Sequence, residues 1–411
     1  MTEKNKSIRN FPNLRFPGFK EAWNVNKLQD IVKINQGLQI PISERLLSSI
    51  DGTYFYITNE FLKENSEKKY FIKNPPSSVL CNKEDILMTR TGNTGKVVTG
   101  VEGAFHNNFF KVSYPKNIAK GFLYNFLKLP NIQNQISKLA GTSTIPDLNH
   151  SDFYKIKFSF PLLEEQQKIA EFVYLLDERI STQKKIITKV KSQMQFLEDI
   201  LLSGRLRLND DYGNPFKNWT EEKLGNIGKT FNGLSGKTKE DFGSGEKYIQ
   251  YKQIFDSSKI RLSNCALVSI SEKENQNTVQ FGDVFFTVSS ETPEEIGMSS
   301  VLLENVENVF LNSFCFGFRT HSFEKLIPEF SQFFFRSKVF RTEIVKLAQG
   351  STRYNISKNE FLKLNIILPC KAEQIKIADF LSSFDEKINL EKDLLNRYEI
   401  QKKYFLANLF I

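Results

Sequence analysis

Along residues 15–160, and again along 216–368, apolar residues fall in short alternating runs separated by Gly, Asn, Ser and Pro. That pattern predicts β-rich domains carrying a few helices. Asp85–Arg90 and Asp283–Val288 read as matched strands, each followed by a Gly- or Ser-rich loop. Phe109–Val112 and Phe314–Phe318 read as a second matched pair, and Gly121–Ala140 and Glu329–Ala348 as helical patches. A last strand, Lys155–Phe160 or Lys363–Leu368, then runs into a proline, and the period changes. Val173, Leu176, Ile180, Gln183, Ile187, Val190, Met194, Leu197 and Leu201 follow alternating steps of three and four, the seam of a coiled coil. Leu381, Phe384, Ile388, Glu391, Leu395, Tyr398, Lys402, Phe405 and Leu409 repeat it, more loosely after Tyr398.

The helix starts show that the chain is a twofold internal repeat. Pro161–Ile180 (PLLEEQQKIAEFVYLLDERI) and Pro369–Ile388 (PCKAEQIKIADFLSSFDEKI) are identical at ten of 20 positions. The domain starts repeat as well, with Trp23, Leu28, Ile31 and Gly37 matched by Trp219, Leu224, Ile227 and Gly233. The expected layout is a flexible tail (1–14), a first domain (15–160), a long helix (161–205), a linker (206–215), a second domain (216–368) and a second long helix (369–411). The second helix can cover its seam along its length only by running back antiparallel to the first. The expected class is α+β: two α/β domains separated by a long antiparallel coiled coil, a dumbbell with a pseudo-twofold axis. Flush pairing sets Gln183 opposite Glu391, a polar pair expected to fix the coil register.

Composition narrows the function classes. The chain has 411 residues, 25% of them charged, a formal net charge of +9 and four scattered cysteines. No apolar run reaches the roughly 18 residues of a membrane span, and the N-terminus carries no secretory signal, so a cytoplasmic protein is expected. The positive charge is compatible with phosphate neutralisation on nucleic acid. Asn74-Pro75-Pro76-Ser77 lacks the aromatic of an amino-methyltransferase motif, and Phe231–Thr238 ends like a P-loop without its leading Gly. His106, His150 and His321 give no metal or triad spacing. No catalytic residue and no metal site is assigned.

What remains is polar loops at matched positions. Arg and Asn suit base edges, while Ser, Thr and Lys suit phosphates or bases. The DNA-binding candidates are Arg90, Thr91, Asn93, Lys96, Asn107, Asn108, Ser143 and Thr144 in the first domain. In the second they are Lys237, Lys239, Ser289, Ser290, Asn312, Ser351, Thr352, Arg353, Tyr354 and Asn355. Glu165, Gln166 and Lys168, with Glu373, Gln374 and Lys376, are expected to be exposed at the helix starts. They are candidates for helix capping or partner docking.

The paired P-x-x-x-E-Q-x-K-I-A-x-F segments at Pro161–Phe172 and Pro369–Phe380 resemble the specificity subunit of type I restriction–modification enzymes, the HsdS family. The W-x4-L-x2-I-x5-G starts at Trp23 and Trp219, and the S-T-x-x-[DN]-[LI] loops at Ser143–Leu148 and Ser351–Ile356, are similar too. The resemblance implies two target recognition domains, each reading half of a bipartite site on double-stranded DNA, with the helices setting the spacer. It implies two methyltransferase (modification) subunits and two motor–nuclease (restriction) subunits as partners. S-adenosylmethionine, ATP and magnesium would then belong to those partners, with none on this chain. Two other classes stay open: a self-contained DNA methyltransferase using Asn74–Ser77, and a coiled-coil DNA-binding regulator without modification partners.

Overall fold

A computed structural model describes residues 10–63, 66–141, 144–271 and 273–411. The chain divides into two compact units, Met1–Lys184 with Leu394–Ile411, and Lys185–Asp393. Two long helices, the central helix (Leu163–Leu202) and the C-terminal helix (Lys371–Leu409), each contribute to both units. No helix among the described residues is long and apolar enough to cross a membrane.

The first unit opens and closes on one antiparallel strand pair, with Asn24 opposite Phe160 and Lys27 opposite Lys157. Between them, one antiparallel sheet has the order Lys33–Gln36, Phe109–Ser113, Ile86–Thr89, Val97–Val98. A second sheet orders Phe71–Lys73, Thr53–Ile57, Gly103–Phe105 and Leu80–Cys81, with Thr53–Ile57 parallel to Gly103–Phe105. The main core gathers Trp23, Ile86, Phe110, Phe122, Phe126, Phe153 and Phe158 under the helices Lys120–Leu127 and Pro130–Leu139. Ile169 and Val173 from the central helix, Leu409 from the C-terminal helix and Phe410 just after it complete it. Phe410 stacks on Phe122 at 4.8 Å. The loosening after Tyr398 therefore does not end the helix early, because its last turns bury apolar residues in this core. Here the two helices run antiparallel: Phe172 packs on Phe405 at 4.8 Å and Arg179 covers the ring of Tyr398. Asp177 pairs with Lys402.

The second unit repeats this plan. Thr220–Lys223 pairs with Asn365–Leu368, and the main sheet orders Gly228–Asn232, Cys315–Thr320, Val284–Thr287, Ser299–Val301. Phe242–Ile249 runs parallel to Val309–Leu311, as Thr53–Ile57 does to Gly103–Phe105. Its core is rich in phenylalanine, with Phe286, Phe316, Phe318, Phe335, Phe340 and Phe361 in mutual contact. Leu201, Leu202, Ile377 and Leu381 bring both long helices into it. The central helix stops at Gly204, which takes φ +70 while Leu206 N–H reaches back to Ile200 C=O at 3.0 Å.

The repeated glycines have a steric cause. A Cβ on Gly37 would collide with the carbonyl oxygen of His106, and one on Gly233 with that of Asn312. Gln183 is buried on the seam of the first unit, and Glu391 is half-buried on the helix of the second.

Candidate nucleic-acid interface

The helix starts differ from the sequence expectation. Glu165, Gln166, Glu373 and Gln374 are buried, at 1% exposure or less. Glu165 takes both hydrogen bonds of a bidentate pair from Arg15, each 2.7 Å, and Glu373 takes the same pair from Arg207 at 2.6 and 2.7 Å. Gln166 accepts from Ala119 N–H and donates to the carbonyls of Asn117 and Pro161. Gln374 accepts from Ile327 N–H and donates to those of Lys325 and Pro369. These four side chains lock each domain to its helix and cannot dock a partner. A charge is buried where a fitted counter-charge and hydrogen bonds compensate its lost hydration. Lys168 remains exposed beside Glu171, and Lys376 is held by Asp211 and the carbonyl of Asn209.

The lock also orders both connecting segments. Asn10 C=O accepts from Trp23 N–H, Asn13 bonds Asn408, and Leu14 N–H donates to Asn408 C=O at 2.9 Å. Residues 10–14 are therefore not a loose tail. The 206–215 segment is likewise engaged through Arg207 and through a turn in which the Asp210 carboxylate accepts from Tyr212 and Asn214 N–H.

The loop residues of the first unit converge in part. Arg90 and Thr91 leave the strand Ile86–Thr89, and both reach Asp147 in the loop that precedes the helix His150–Tyr154. Arg90 donates through Nε (2.9 Å) and Nη2 (2.5 Å) to the two Asp147 oxygens, and through Nη1 to Gln36 Oε1 at 3.2 Å. His150 Nε2 lies 2.7 Å from the same Gln36 oxygen. The Arg90 guanidinium, with Thr91, holds the Asp147 carboxyl below its ordinary range, and burial with the nearby Arg90 charge lowers His150. Arg90 therefore cannot take a guanine bidentately while this pair is intact, because its fork is already occupied. Asn107 Nδ2 bonds Gln39, and Asn108 C=O accepts from Arg90 N–H. Asn93 and Lys96 face a separate cleft of about 400 Å³ with Thr94, Gln133 and Ser137. Thr144 is exposed on its loop, and Ser143 lies outside the described residues.

In the second unit Lys237 is not free for phosphate. Its ammonium is buried against Glu274 and the Ser269 carbonyl, both at 2.6 Å. Lys239 is exposed. Ser289 and Ser290 form a short buried strand paired with Asn355 and Tyr354. With Arg353, Tyr251, Phe255 and Glu295 they line a cleft of about 430 Å³. Asn312 Oδ1 accepts from Phe314 N–H and so shapes a turn, while Ser351 and Thr352 are exposed.

Main-chain bonds align the two centres residue by residue. Leu148 N–H donates to Arg90 C=O at 2.9 Å, and Ile356 N–H to Val288 C=O at 3.0 Å. Thr91 bridges Asp147 as Ser289 pairs with Asn355. Asn59 Nδ2 donates to Thr91 C=O at 3.1 Å, and Tyr251 OH to Ser289 C=O at 2.8 Å. His150 meets Gln36 as Lys358 meets Asn232. Gln36, Asn59 and His150, their counterparts Asn232, Tyr251 and Lys358, and also Asp147 and Val288, were not among the sequence candidates, whereas Asp147's counterpart Asn355 and Val288's counterpart Arg90 were. Their available signal was position: Gln36 and Asn232 each precede the repeated glycine, and Asp147 sits inside the repeated S-T-x-x-[DN] loop.

Residues 20–192 and 216–399 each match the type I restriction modification DNA specificity domain. The chain belongs to that family. Among relatives of this specificity-domain chain, the type I restriction enzyme MjaVIII specificity subunit of Methanocaldococcus jannaschii is 24% identical over 97% of this chain and 94% of its own length. The EcoKI specificity subunit of Escherichia coli is 24% identical over 64% of this chain and 58% of its own. Among solved structures, the type I restriction-modification S subunit from M. genitalium superposes with a TM-score of 0.56 at 15% identity, covering 98% of this chain and 99% of that one. A structure concerned with assembly and conformational transition of the type I R-M system gives 0.59 at 16%, covering 97% and 99%. These likenesses extend the specificity-domain fold over nearly the whole chain.

Proposed function

We propose that this chain is the sequence-specific DNA-binding subunit of a type I restriction–modification complex. Each domain reads one half of a bipartite site, and the bound complex aims adenine methylation and cleavage by partner subunits. One observation carries the reading: two specificity domains on one chain share a backbone framework yet present different side chains at its centre. The recognition role is non-catalytic. Two methyltransferase subunits carry S-adenosylmethionine, and two motor–nuclease subunits carry ATP and magnesium, with the assembly acting on cytoplasmic DNA. The net charge of +9 supports phosphate contacts, which position the protein while base contacts specify the site.

The test is to co-express the chain with its methyltransferase partner and sequence the methylome of the host. A bipartite motif with an unspecified spacer is expected, with affinity for an oligonucleotide carrying it falling steeply between about 50 and 200 mM salt. Calorimetry on the isolated chain should detect no S-adenosylmethionine binding. Binding there would overturn this reading in favour of a self-contained methyltransferase, and a native complex lacking any methyltransferase would favour a regulator.

A further inference from the structure

The six aligned positions are Gln36/Asn232, Asn59/Tyr251, Arg90/Val288, Thr91/Ser289, Asp147/Asn355 and His150/Lys358. No pair is identical, although the flanking framework is kept. Gly37/Gly233, Leu38/Leu234, Glu165/Glu373 and Gln166/Gln374 are identical, and Leu148/Ile356 is apolar for apolar. Leu38 N–H donates to Phe105 C=O at 3.0 Å, as Leu234 N–H does to Leu311 C=O at 2.7 Å. A site needed only for folding would keep its chemistry along with its hydrogen bonds, as the Glu–Gln lock has done.

The centres also differ in polarity. In the first, Arg90 is consumed by Asp147, so its cation is neutralised internally. Asp147 keeps 38% of its side chain exposed, leaving lone pairs open to a donor. His150 is held toward the neutral ring by burial, and a neutral ring that meets Gln36 Oε1 through Nε2–H leaves Nδ1 as a further acceptor. In the second centre Val288 and Asn355 replace the ion pair, and the Lys358 ammonium, bonded to Asn232 Oδ1, has further protons to donate.

We infer that these six positions determine the two half-site specificities, the first centre accepting from an exocyclic amino group of a base and the second donating to acceptors on a base edge. Carboxylates accept from cytosine N4, and lysine donates to guanine O6 and N7, so the polarities map onto different base edges. The inference rests on the proposed function, and its test separates the two. The complex with the methyltransferase is compared by methylome sequencing as wild type, as Arg90→Val with Asp147→Asn, as Lys358→Met and as Lys358→Arg. The Arg90/Asp147 variant takes the second copy's residues and should relax one position of one half-site, cutting discrimination there about tenfold or more. Lys358→Met should relax the opposite half to a similar degree, and Lys358→Arg, which keeps donors, should hold the wild-type motif. Spacer length should not change.

A wild-type bipartite motif that neither the double variant nor Lys358→Met alters would overturn the assignment while leaving the specificity-subunit function standing. Relaxation of the same half by both would overturn it equally. If the double variant fails to fold, Lys358→Met and Lys358→Arg decide alone, since equal behaviour of the two excludes a donor role. A wild-type complex methylating no bipartite motif would sink the underlying function instead.

Discussion

Glu165 and Glu373 occupy the same place in the two copies, each buried at the start of a long helix and each gripped by an arginine from the preceding segment. The second copy adds a third donor, Trp219 Nε1 at 3.0 Å from the Glu373 carboxylate. In the first copy Trp23 Nε1 is buried and meets no acceptor, its ring packing instead on Phe122. The two polar centres diverged the other way, keeping backbone bonds while changing all six side chains. A residue that joins a domain to its helix can vary only by what surrounds it, because an unpaired buried carboxylate is costly. In the two polar centres the main-chain bonds hold the framework, so the side chains can differ without breaking it.

The sharpest way to break this comparison is to remove the carboxylates. Glu373→Ala leaves Arg207, Trp219 and a buried helix start without their common acceptor. Glu165→Ala strands only Arg15 in the first copy. Removing one member of a buried pair costs about 3–5 kcal/mol, so both variants should be strongly destabilised, with Glu373→Ala the worse. The chain has two tryptophans, one per unit, so fluorescence during urea unfolding can report the two transitions. A larger loss for Glu165→Ala would mean that the third donor adds nothing.

A smaller effect should come from the paired helices. In the first unit Asp177 is answered by Lys402. Its repeat counterpart Asp385 accepts from Gln332 instead, and Glu198 is close enough for the two carboxylates to repel. Burial first, then Asp199 and Asp385, push Glu198 up to about 7, while Arg336 opposes them. Burial also raises Asp385, against the pull of Gln332 and of Lys259, Lys392 and Arg261. A carboxyl whose folded pKa is raised stabilises the fold when protonated. That contribution is present below the unfolded value near 4.5 and is lost as pH rises through about 7. The second unit should therefore lose on the order of 2 kcal/mol between pH 5 and pH 8. Glu198→Gln should flatten the profile, and the first unit should show no matching loss. Unit-resolved hydrogen exchange at the two pH values measures it, and an unchanged slope in Glu198→Gln would refute the assignment.

The repeat, the matched strands and the helical seam were legible in the sequence because their signals are periodic and local. Ile86–Thr89 and Val284–Thr287 fall within the two segments that alternation marked, and the seam residues Val173, Ile187, Val190 and Leu201 are buried. The lock was not legible. Arg15 lies 150 residues from Glu165 and Arg207 lies 166 from Glu373, and nothing in spacing announces such pairs. Glu165 and Gln166 were expected at the surface because unpaired charges and amides seldom lie inside, and only the fold supplies the partners that make burial tolerable. The polar centre of the first unit was half legible. Arg90 and Thr91 stood out as polar loop residues, but Asp147, 57 residues from Arg90, is what turns that arginine from a guanine reader into half of an ion pair.

The finest test separates the two tryptophans. Trp219→Phe removes the indole N–H that Glu373 accepts and weakens the stack under Arg207, whose guanidinium carbon lies 5.6 Å from the ring centroid. Trp23→Phe removes a donor that had no acceptor, so the penalty for burying it disappears with it. Trp23 is buried in its core and Trp219 only half-buried, so the packing cost is larger at Trp23 and opposes the hydrogen-bond effect. The hydrogen bond to a charged acceptor contributes about 1.5–3 kcal/mol, reduced here because Trp219 is only half-buried. Trp219→Phe should still be the more destabilising, by a margin cut to about 1 kcal/mol or less by that packing difference. Each variant leaves one tryptophan in the other unit, so the altered transition is best followed by hydrogen exchange. Equal losses would show that the indole contact to Glu373 is incidental to the lock, and that the arginine alone holds it.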